Sequence, residues 1–180
     1  EEYLHSYISV LPYNELGAAA AAYHADEKEL CRLDEIYSAA KTPFEIRSGS
    51  EKVTRRFFKI CNNGRESFTG LYKSLTEQGI CKGHQCIAYG LYMRDNGIEL
   101  SEGLAVYGYS ICSAIVTNCV KLVPLSQLAG QKILGESFEL ISSASEKALF
   151  TDINDIGISG AGFDLRAMQH ERLYSRQYMS

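Results

Sequence analysis

Tryptophan is absent from this sequence, and proline, histidine and methionine are scarce. Its 180 residues include three prolines, four histidines and three methionines. The prolines, at positions 12, 43 and 124, each stand where a helix could begin, so they interrupt no long periodic segment. Strand-like alternation is rare as well, and no internal repeat is visible. These absences predict an all-α protein, a single-domain helical bundle over residues 1–180.

A large excess of charge of either sign is also lacking. Lysine and arginine number 18 against 22 acidic residues, which gives a net charge of −4 and a pI near 5.6. The chain has no general attraction to phosphate backbones, so nucleic-acid binding is disfavoured. The longest uncharged run, residues 103–120, approaches the length of a membrane span, but serine, threonine and asparagine recur through it. We expect a helix buried in the bundle and no membrane contact.

Six cysteines could form three disulfides in a secreted scaffold, but their spacing argues against it. Cys112 and Cys119 are seven positions apart in a helical stretch, too distant along the helix to bridge. No short apolar run follows a basic start, so no signal peptide is visible after Glu1. We interpret the cysteines as reduced thiols of a cytoplasmic protein.

Start and stop signals divide the chain into helices. The clearest start predicts Thr42 as an N-cap, Pro43 as the first helical residue and Glu45 as a side chain that reaches back to the free amides. Gly79, Gly97 and the glycine cluster at 157–162 are typical of helix ends or linkers. The other predicted helices cover residues 15–41, 67–77, 84–95, 101–123, 125–150 and 164–178.

The helix after Thr42 carries a basic stripe. Its four cations recur at helical spacing: Lys52, Arg55, Arg56 and Lys59. Val53, Phe57 and Ile60 are predicted to cover another face of the same helix. The stripe is either a solvated face or a docking surface for an acidic partner.

Few motifs in the chain indicate chemistry. Cys81, His84 and Cys86 offer thiolate and imidazole donors for zinc or nickel, and a small helical metal-dependent enzyme that uses them is the alternative function. His170 and Glu171 begin an H-E-x-x-H zinc motif, but position 174 is tyrosine. The glycine cluster lacks the Gly-Lys of a phosphate-binding loop. No nucleophile, base and orienting group are evident, which disfavours an enzyme and leaves the metal-dependent enzyme as the open alternative.

The C-terminal segment, residues 165–180, has no single apolar face if it is helical. Such a segment buries poorly within its own domain. Its tyrosines and arginines supply contact area and directional donors of the kind found at protein interfaces. It is either a docking tail or a frayed terminus without a role.

Two blocks of the sequence are specific enough to suggest a family. One is the C-terminal run from Arg166 through Glu171 with Tyr174, Ser175 and Arg176, and the other is the segment 118–134. Both blocks resemble the UreF family of urease accessory proteins, and the second is similar to that family's "VPLGQ…GQ" stretch. A weaker likeness lies at residues 41–47 and at the Arg55-Arg56 pair, and the whole resemblance covers about residues 33–180.

This resemblance implies an all-helical, homodimeric chaperone in the cytoplasm without chemistry of its own. Proteins of the family bridge the accessory protein UreD, called UreH in some organisms, and the GTPase UreG. They help to couple GTP hydrolysis to nickel insertion into apo-urease. The resemblance therefore implies no enzyme activity, no catalytic residue and no bound cofactor or metal in this chain, because GTP and nickel are handled by the partners.

The resemblance also indicates which residues contact partners. The matching positions of the central block are Lys121, Pro124, Gln127, Gly130 and Gln131. Those of the tail are Arg166, His170, Glu171, Tyr174, Ser175 and Arg176, to which we add Tyr178. We assign the tail to the UreD-type partner, and Lys121 with the basic stripe to UreG.

Tyr107 and Tyr109 are candidates for the dimer contact, because small residues at 108, 110 and 114 would let two helices approach. The segment with a Pro-Ile-Gly-like turn and a Ser-His-Ser-like stretch, which usually begins members of the family, is not present before Glu1. We therefore expect a truncated piece, or a chain whose first segment is disordered.

Overall fold

The computed structural model describes residues 1–61, 64, 67–158 and 160–174, and this part of the chain is helical without any strand. The α-helices within it are α1 (Glu2–Val10), α2 (Glu15–His24), α3 (Glu27–Ala40), α4 (Phe44–Ile60), α5 (Phe68–Glu77), α6 (Gln85–Asp95), α7 (Leu100–Leu122), α8 (Gln127–Glu136), α9 (Phe138–Ala148) and α10 (Ala161–His170). Short 3-10 turns lie at Leu11–Tyr13 and Ile153–Asp155. The predicted all-α bundle is confirmed.

The alanine-rich helix α2 lies at the centre of the bundle. It is buried along most of its length, and it packs most extensively against α6, with α3, α7 and α9 also in contact. At its crossing with α6, a Cβ atom built on Gly90 would lie 2.2 Å from the carbonyl oxygen of Ala19. The run of small side chains therefore sets how closely the two helices approach.

The longest helix, α7, is the helix of the described residues whose length and apolar composition would suit a membrane span. One of its faces packs on α2, α8 and α9 through residues that include Leu104, Cys112 and Val116. Val106 is exposed on the opposite face, and Tyr109 is exposed at the border of the packed face, beside α9. This packing is that of a helix in a bundle, as predicted for the uncharged run.

Two predicted helices are each divided in the structure. Residues 15–41 form α2 and α3, because Asp26 accepts a hydrogen bond from the backbone N–H of Glu29 and the Glu29 carboxylate accepts one from that of Asp26. This capping box begins a new helix. Residues 125–150 form α8 and α9, with a break at buried Ser137, whose hydroxyl donates to the carbonyl of Ile133.

The predicted start at Thr42 is wrong by one residue. Helix α4 begins at Phe44, and Pro43 occupies the N-cap position without a side-chain hydrogen bond to the first turn. The predicted last helix, 164–178, is also wrong at its ends, since α10 begins at Ala161 and ends at His170. Residues 175–178 of that prediction lie outside the described part of the chain.

Candidate functional site

The C-terminal end of α10 is attached to the beginning of α4. The Nδ1 atom of His170 lies 2.8 Å from Oε2 of Glu45, and the backbone N–H of Glu45 donates to Oε1 of Glu171 over 3.1 Å. Because α4 has no side-chain cap of its own, the Glu171 carboxylate fills the place of one, at the positive end of the helix dipole. Two predicted partner-binding residues thus fix the end of α10 within their own chain.

The other end of α10 is held by aromatic contacts with α1. The ring of Phe163 meets the rings of Tyr3 and Tyr7 edge to face, at centroid distances of 5.3 and 5.4 Å. A groove of about 300 Å³ runs beside these rings and is also lined by Ile46 and Arg166. Such edge-to-face pairs favour one orientation of the rings, so α10 is held near both of its ends.

A largely buried ion pair lies beside this groove. Lys41 Nζ lies 2.7 Å from Oε1 of Glu15, and the hydroxyl of Tyr7 donates to the same oxygen over 3.3 Å. Burial opposes ionisation of Glu15, but the Lys41 ammonium more than offsets it and lowers the pKa of the carboxyl. The Glu15 charge and the burial of the ring raise the pKa of Tyr7. The pair therefore stays charged and Tyr7 stays protonated at neutral pH.

Beyond His170 the chain turns outward. Leu173 is about half exposed at 52%, and the side chain of Tyr174 is fully exposed. Arg166, on the exposed side of α10, donates to the side-chain oxygen of Gln169 over 3.0 Å. The predicted partner residues Ser175, Arg176 and Tyr178 lie outside the described residues. The structure therefore places Tyr174 where a partner could reach it, and its contact with a partner stays a prediction.

The central block spans the end of α7, the connection that follows and the start of α8. Four of its five candidate residues are exposed: Lys121, Pro124, Gln127 and Gln131. Gly130 is buried instead, and a Cβ atom there would lie 2.9 Å from Val120 and 3.0 Å from Val116. In this chain Gly130 lets α8 pack on α7, a role different from the predicted partner contact. Partner contact through the four exposed residues stays a prediction.

The two dimer candidates lie on different sides of α7. Tyr107 is buried and stacks on Tyr89 with ring centroids 4.4 Å apart, so its contacts are within the chain. Tyr109 is exposed and lies 5.7 Å from the ring of Phe138. Of the small residues, Gly108 packs against Ile141 of α9. Successive residues of an α-helix are about 100° apart around its axis, so Tyr107 and Tyr109 lie on different faces of α7. The sequence did not show which of these faces the other helices cover.

The cations of the basic stripe are all exposed on α4: Lys52, Arg55, Arg56 and Lys59. The predicted apolar face is wrong in part, because Val53 and Ile60 are exposed at 41% and 81%. The buried residues of α4 are Thr54 and Phe58, and Phe57 is half-buried against Tyr92. Apolar side chains therefore border the cationic surface, which is typical of a docking face.

Cys81, His84 and Cys86 do not converge. Cys81 contacts Cys31, and Cys86 is buried elsewhere in the core. The two ring nitrogens of His84 face serine hydroxyls, Nε2 at 2.8 Å from Ser38 and Nδ1 at 3.4 Å from Ser50. Within the described residues, no three histidine, cysteine or acidic side chains group as metal ligands would. The alternative function as a metal enzyme lacks the geometry it needs.

A polar network that the sequence analysis missed holds the loop before α6. The Asp34 carboxylate accepts from the backbone N–H groups of Lys82 at 2.7 Å and Gly83 at 3.0 Å, and from the hydroxyl of Tyr72. The same hydroxyl accepts from the backbone N–H of His84 at 2.8 Å. No sequence signal joined Asp34 to residues that lie 38 to 49 positions later in the chain. The network is buried and satisfied, so it positions His84.

We expect His84 to make stability depend on pH. Burial lowers the pKa of His84 to about 4, while the Asp34 charge opposes the shift. Below pH 6.5 the imidazole of His84 binds a proton in the unfolded chain, whereas in the folded chain it stays neutral until the pH approaches 4. The free energy of unfolding therefore falls as the pH drops from 6.5 towards 4. The loss at pH 5 relative to pH 8 should be about 2 kcal/mol, measured by urea unfolding. A His84→Gln variant should show a flatter profile, and an equally steep one would contradict the assignment.

Comparison with known proteins identifies the family. The profile of the family described as UreF matches residues 1–137. The urease accessory protein UreF of Actinobacillus pleuropneumoniae serotype 5b (strain L20) is 34% identical over 169 residues, which are 93% of this chain and 74% of that protein. The protein of the same name from Paenarthrobacter aurescens (strain TC1) is 31% identical over 82% of this chain and 67% of its own length.

A relative of lower sequence identity carries the same protein name. The urease accessory protein UreF of Streptococcus thermophilus (strain ATCC BAA-491 / LMD-9) is 28% identical over 82% of this chain and 62% of its own length. The matches extend well past the two blocks that carried the resemblance in the sequence. The chain belongs to the UreF family and is a urease accessory protein.

Proposed function

We propose that this chain is a non-catalytic adaptor for nickel insertion into apo-urease, which holds a UreD-type (UreH-type) protein and the UreG GTPase together. Membership of the UreF family supports a role in urease maturation. The observation that carries the proposal is the exposure of residues 172–174 after α10: the helix is held near both ends, and the side chain of Tyr174 beyond it is fully exposed. A rigid base that presents an exposed aromatic side chain suits capture of another protein.

In this proposal the two partners bind separate surfaces. The segment from Arg166 to Tyr178, which we call the tail, takes the UreD-type protein. The four cations of the basic stripe on α4, together with Lys121 of α7, take an acidic surface of UreG. Nickel and GTP are then the cargo and substrate of the partners. The chain contributes by positioning, so that the nucleotide state of UreG changes its affinity for the assembly.

The proposal includes a homodimer through the exposed face of α7. Val106 is 61% exposed and Tyr109 lies beside Phe138, which is itself 55% exposed. These side chains form an apolar surface on two adjacent helices, α7 and α9. An apolar surface of this kind is typical of contacts between copies of a chain. Tyr107, being buried, contributes only indirectly by supporting the helix.

Co-purification with both partners tests the proposal. The chain, expressed with candidate UreD and UreG, should elute with both, in a complex whose mass accounts for two copies of the chain. We expect Arg56→Glu to weaken UreG capture about tenfold, because it places a negative charge in the stripe, and we expect added salt to weaken the wild-type complex. UreD capture should not change.

Lys73→Glu is the matched control, because Lys73 is exposed on α5 outside the stripe. It makes the same change in net charge and should leave UreG capture as it was. Equal weakening by the two variants would show that net charge, and not the stripe, governs UreG binding. Failure of the wild-type chain to retain either partner would contradict the adaptor function itself.

A further inference from the structure

Two cysteines from distant parts of the sequence meet at the edge of the bundle. Cys31 lies on α3 and Cys81 in the loop between α5 and α6, and their sulfur atoms are 3.9 Å apart. Fifty residues of chain separate them, so the fold and not the local sequence brings them together. Neither the adaptor function nor the polar network around His84 makes use of this pair.

Hydrogen bonds of the loop that carries Cys81 keep the two sulfur atoms close to each other. Asp34, one turn after Cys31 on α3, accepts hydrogen bonds from the backbone N–H groups of Lys82 and Gly83. The backbone N–H of Cys81 donates to the carbonyl of Leu75 over 3.2 Å. The loop that carries Cys81 is therefore fixed to the same face of α3 that carries Cys31.

The two thiols differ in their access to solvent. Cys31 is partly exposed and lines a surface hollow together with Asp26, Glu27 and Lys28. Cys81 is buried at 2% exposure, and its burial, with the nearby Asp34 charge, raises the pKa of its thiol. A reagent from solvent reaches Cys31 first, and Cys81 lies behind it as a protonated thiol.

We propose that Cys31 and Cys81 form an oxidative modification site, at which a hydroperoxide such as hydrogen peroxide converts the two thiols into an intramolecular disulfide. The Cys31 thiolate attacks one peroxide oxygen, the O–O bond breaks, and the departing hydroxide takes a proton and leaves as water. The sulfenic acid formed on Cys31 is then attacked by the sulfur of Cys81. The S–S bond forms, the S–O bond breaks, and the second hydroxide leaves as water with the thiol proton of Cys81.

The two steps balance without another reactant. Both sulfur atoms are oxidised, both peroxide oxygens are reduced, and two water molecules are released. The sulfur atoms must approach from 3.9 Å to about 2.05 Å. The resulting bond would tie α3 to the loop that leads into α6.

Mass spectrometry of the peroxide-treated protein tests the site. The folded chain, treated with hydrogen peroxide and digested without reduction, should yield a Cys31–Cys81 cross-linked peptide that has lost two hydrogen atoms. The cross-link should form at least about tenfold faster than in the urea-unfolded chain, since the fold holds the thiols together. The oxidised protein should melt roughly 5–10 °C higher than the reduced one.

Variants separate this pair from general cysteine oxidation. In Cys81→Ser, the sulfenic acid on Cys31 should accumulate and react with dimedone, because the resolving thiol is gone. In Cys119→Ser, which removes another partly buried cysteine, the cross-link should form as in the wild type. Oxidation of Cys31 to sulfinic acid without a cross-link, or equal cross-linking to other cysteines, would overturn the proposal.

Discussion

Gly90→Ala is expected to destabilise the protein by about 3 kcal/mol or more and to lower its melting temperature by roughly 6–12 °C. The added methyl group would lie 2.2 Å from the carbonyl oxygen of Ala19 and 3.0 Å from Cβ of Ala22. Both contacts are with the backbone or with a side chain that has no rotamer to change, so α2 and α6 must move apart. Circular dichroism during heating measures the effect.

Gly49→Ala is the matched control for this prediction. Gly49 also lies within a helix, α4, but a Cβ atom built there meets nothing within 4 Å. Alanine is the better helix former, so this variant should be unchanged or up to about 1 kcal/mol more stable. If Gly90→Ala melted at the temperature of the wild type, the close crossing of α2 and α6 would not be the centre of the core.

Tyr174→Ala should weaken capture of the UreD-type partner by roughly thirtyfold, which corresponds to about 2 kcal/mol of binding energy. The side chain is fully exposed in the isolated chain, so its removal costs the fold nothing and acts on binding alone. The dissociation constant, measured by calorimetry with purified partner, gives the change. The helical melting curve should match that of the wild type.

The control for Tyr174 is another exposed aromatic residue. Phe150 follows α9 and is 87% exposed, so Phe150→Ala removes a ring of similar size at a site outside the tail. It should leave the affinity for the UreD-type partner unchanged. Equal losses in the two variants would indicate a general effect of surface aromatic residues and would count against a docking tail.

The overall class of the fold could be predicted from the sequence, but the two breaks that divide predicted helices were missed. The uninterrupted periodicity and the sparse prolines suffice for an all-α bundle. The break before α3 did have a sequence signal, since Asp26 and Glu29 stand at capping-box spacing. The alanine run before it favoured one continuous helix, so this signal was not used. The break at Ser137 depends on its burial between α8 and α9, which is a tertiary effect.

The sequence predicted which residues belong to the candidate site, but it did not predict which of them contact one another. The spacing from Thr42 to Glu45 predicted a local cap, whereas Glu45 contacts His170 and Glu171, about 125 positions later in the chain. Contacts at that separation leave no periodic trace in one sequence. In the same way, the sequence places Tyr107 and Tyr109 on one helix, but only the packing of α9 and α6 shows which of them is covered.

Removal of residues 173–180 tests the central claim, that the segment beyond α10 captures the UreD-type partner. This truncation keeps His170 and Glu171, which hold α10 on α4, so the melting temperature should stay within a degree or two of the wild type. The measurement is co-purification of the truncated chain with the UreD-type protein. We expect capture to be lost; retention of the partner at wild-type yield would contradict the account.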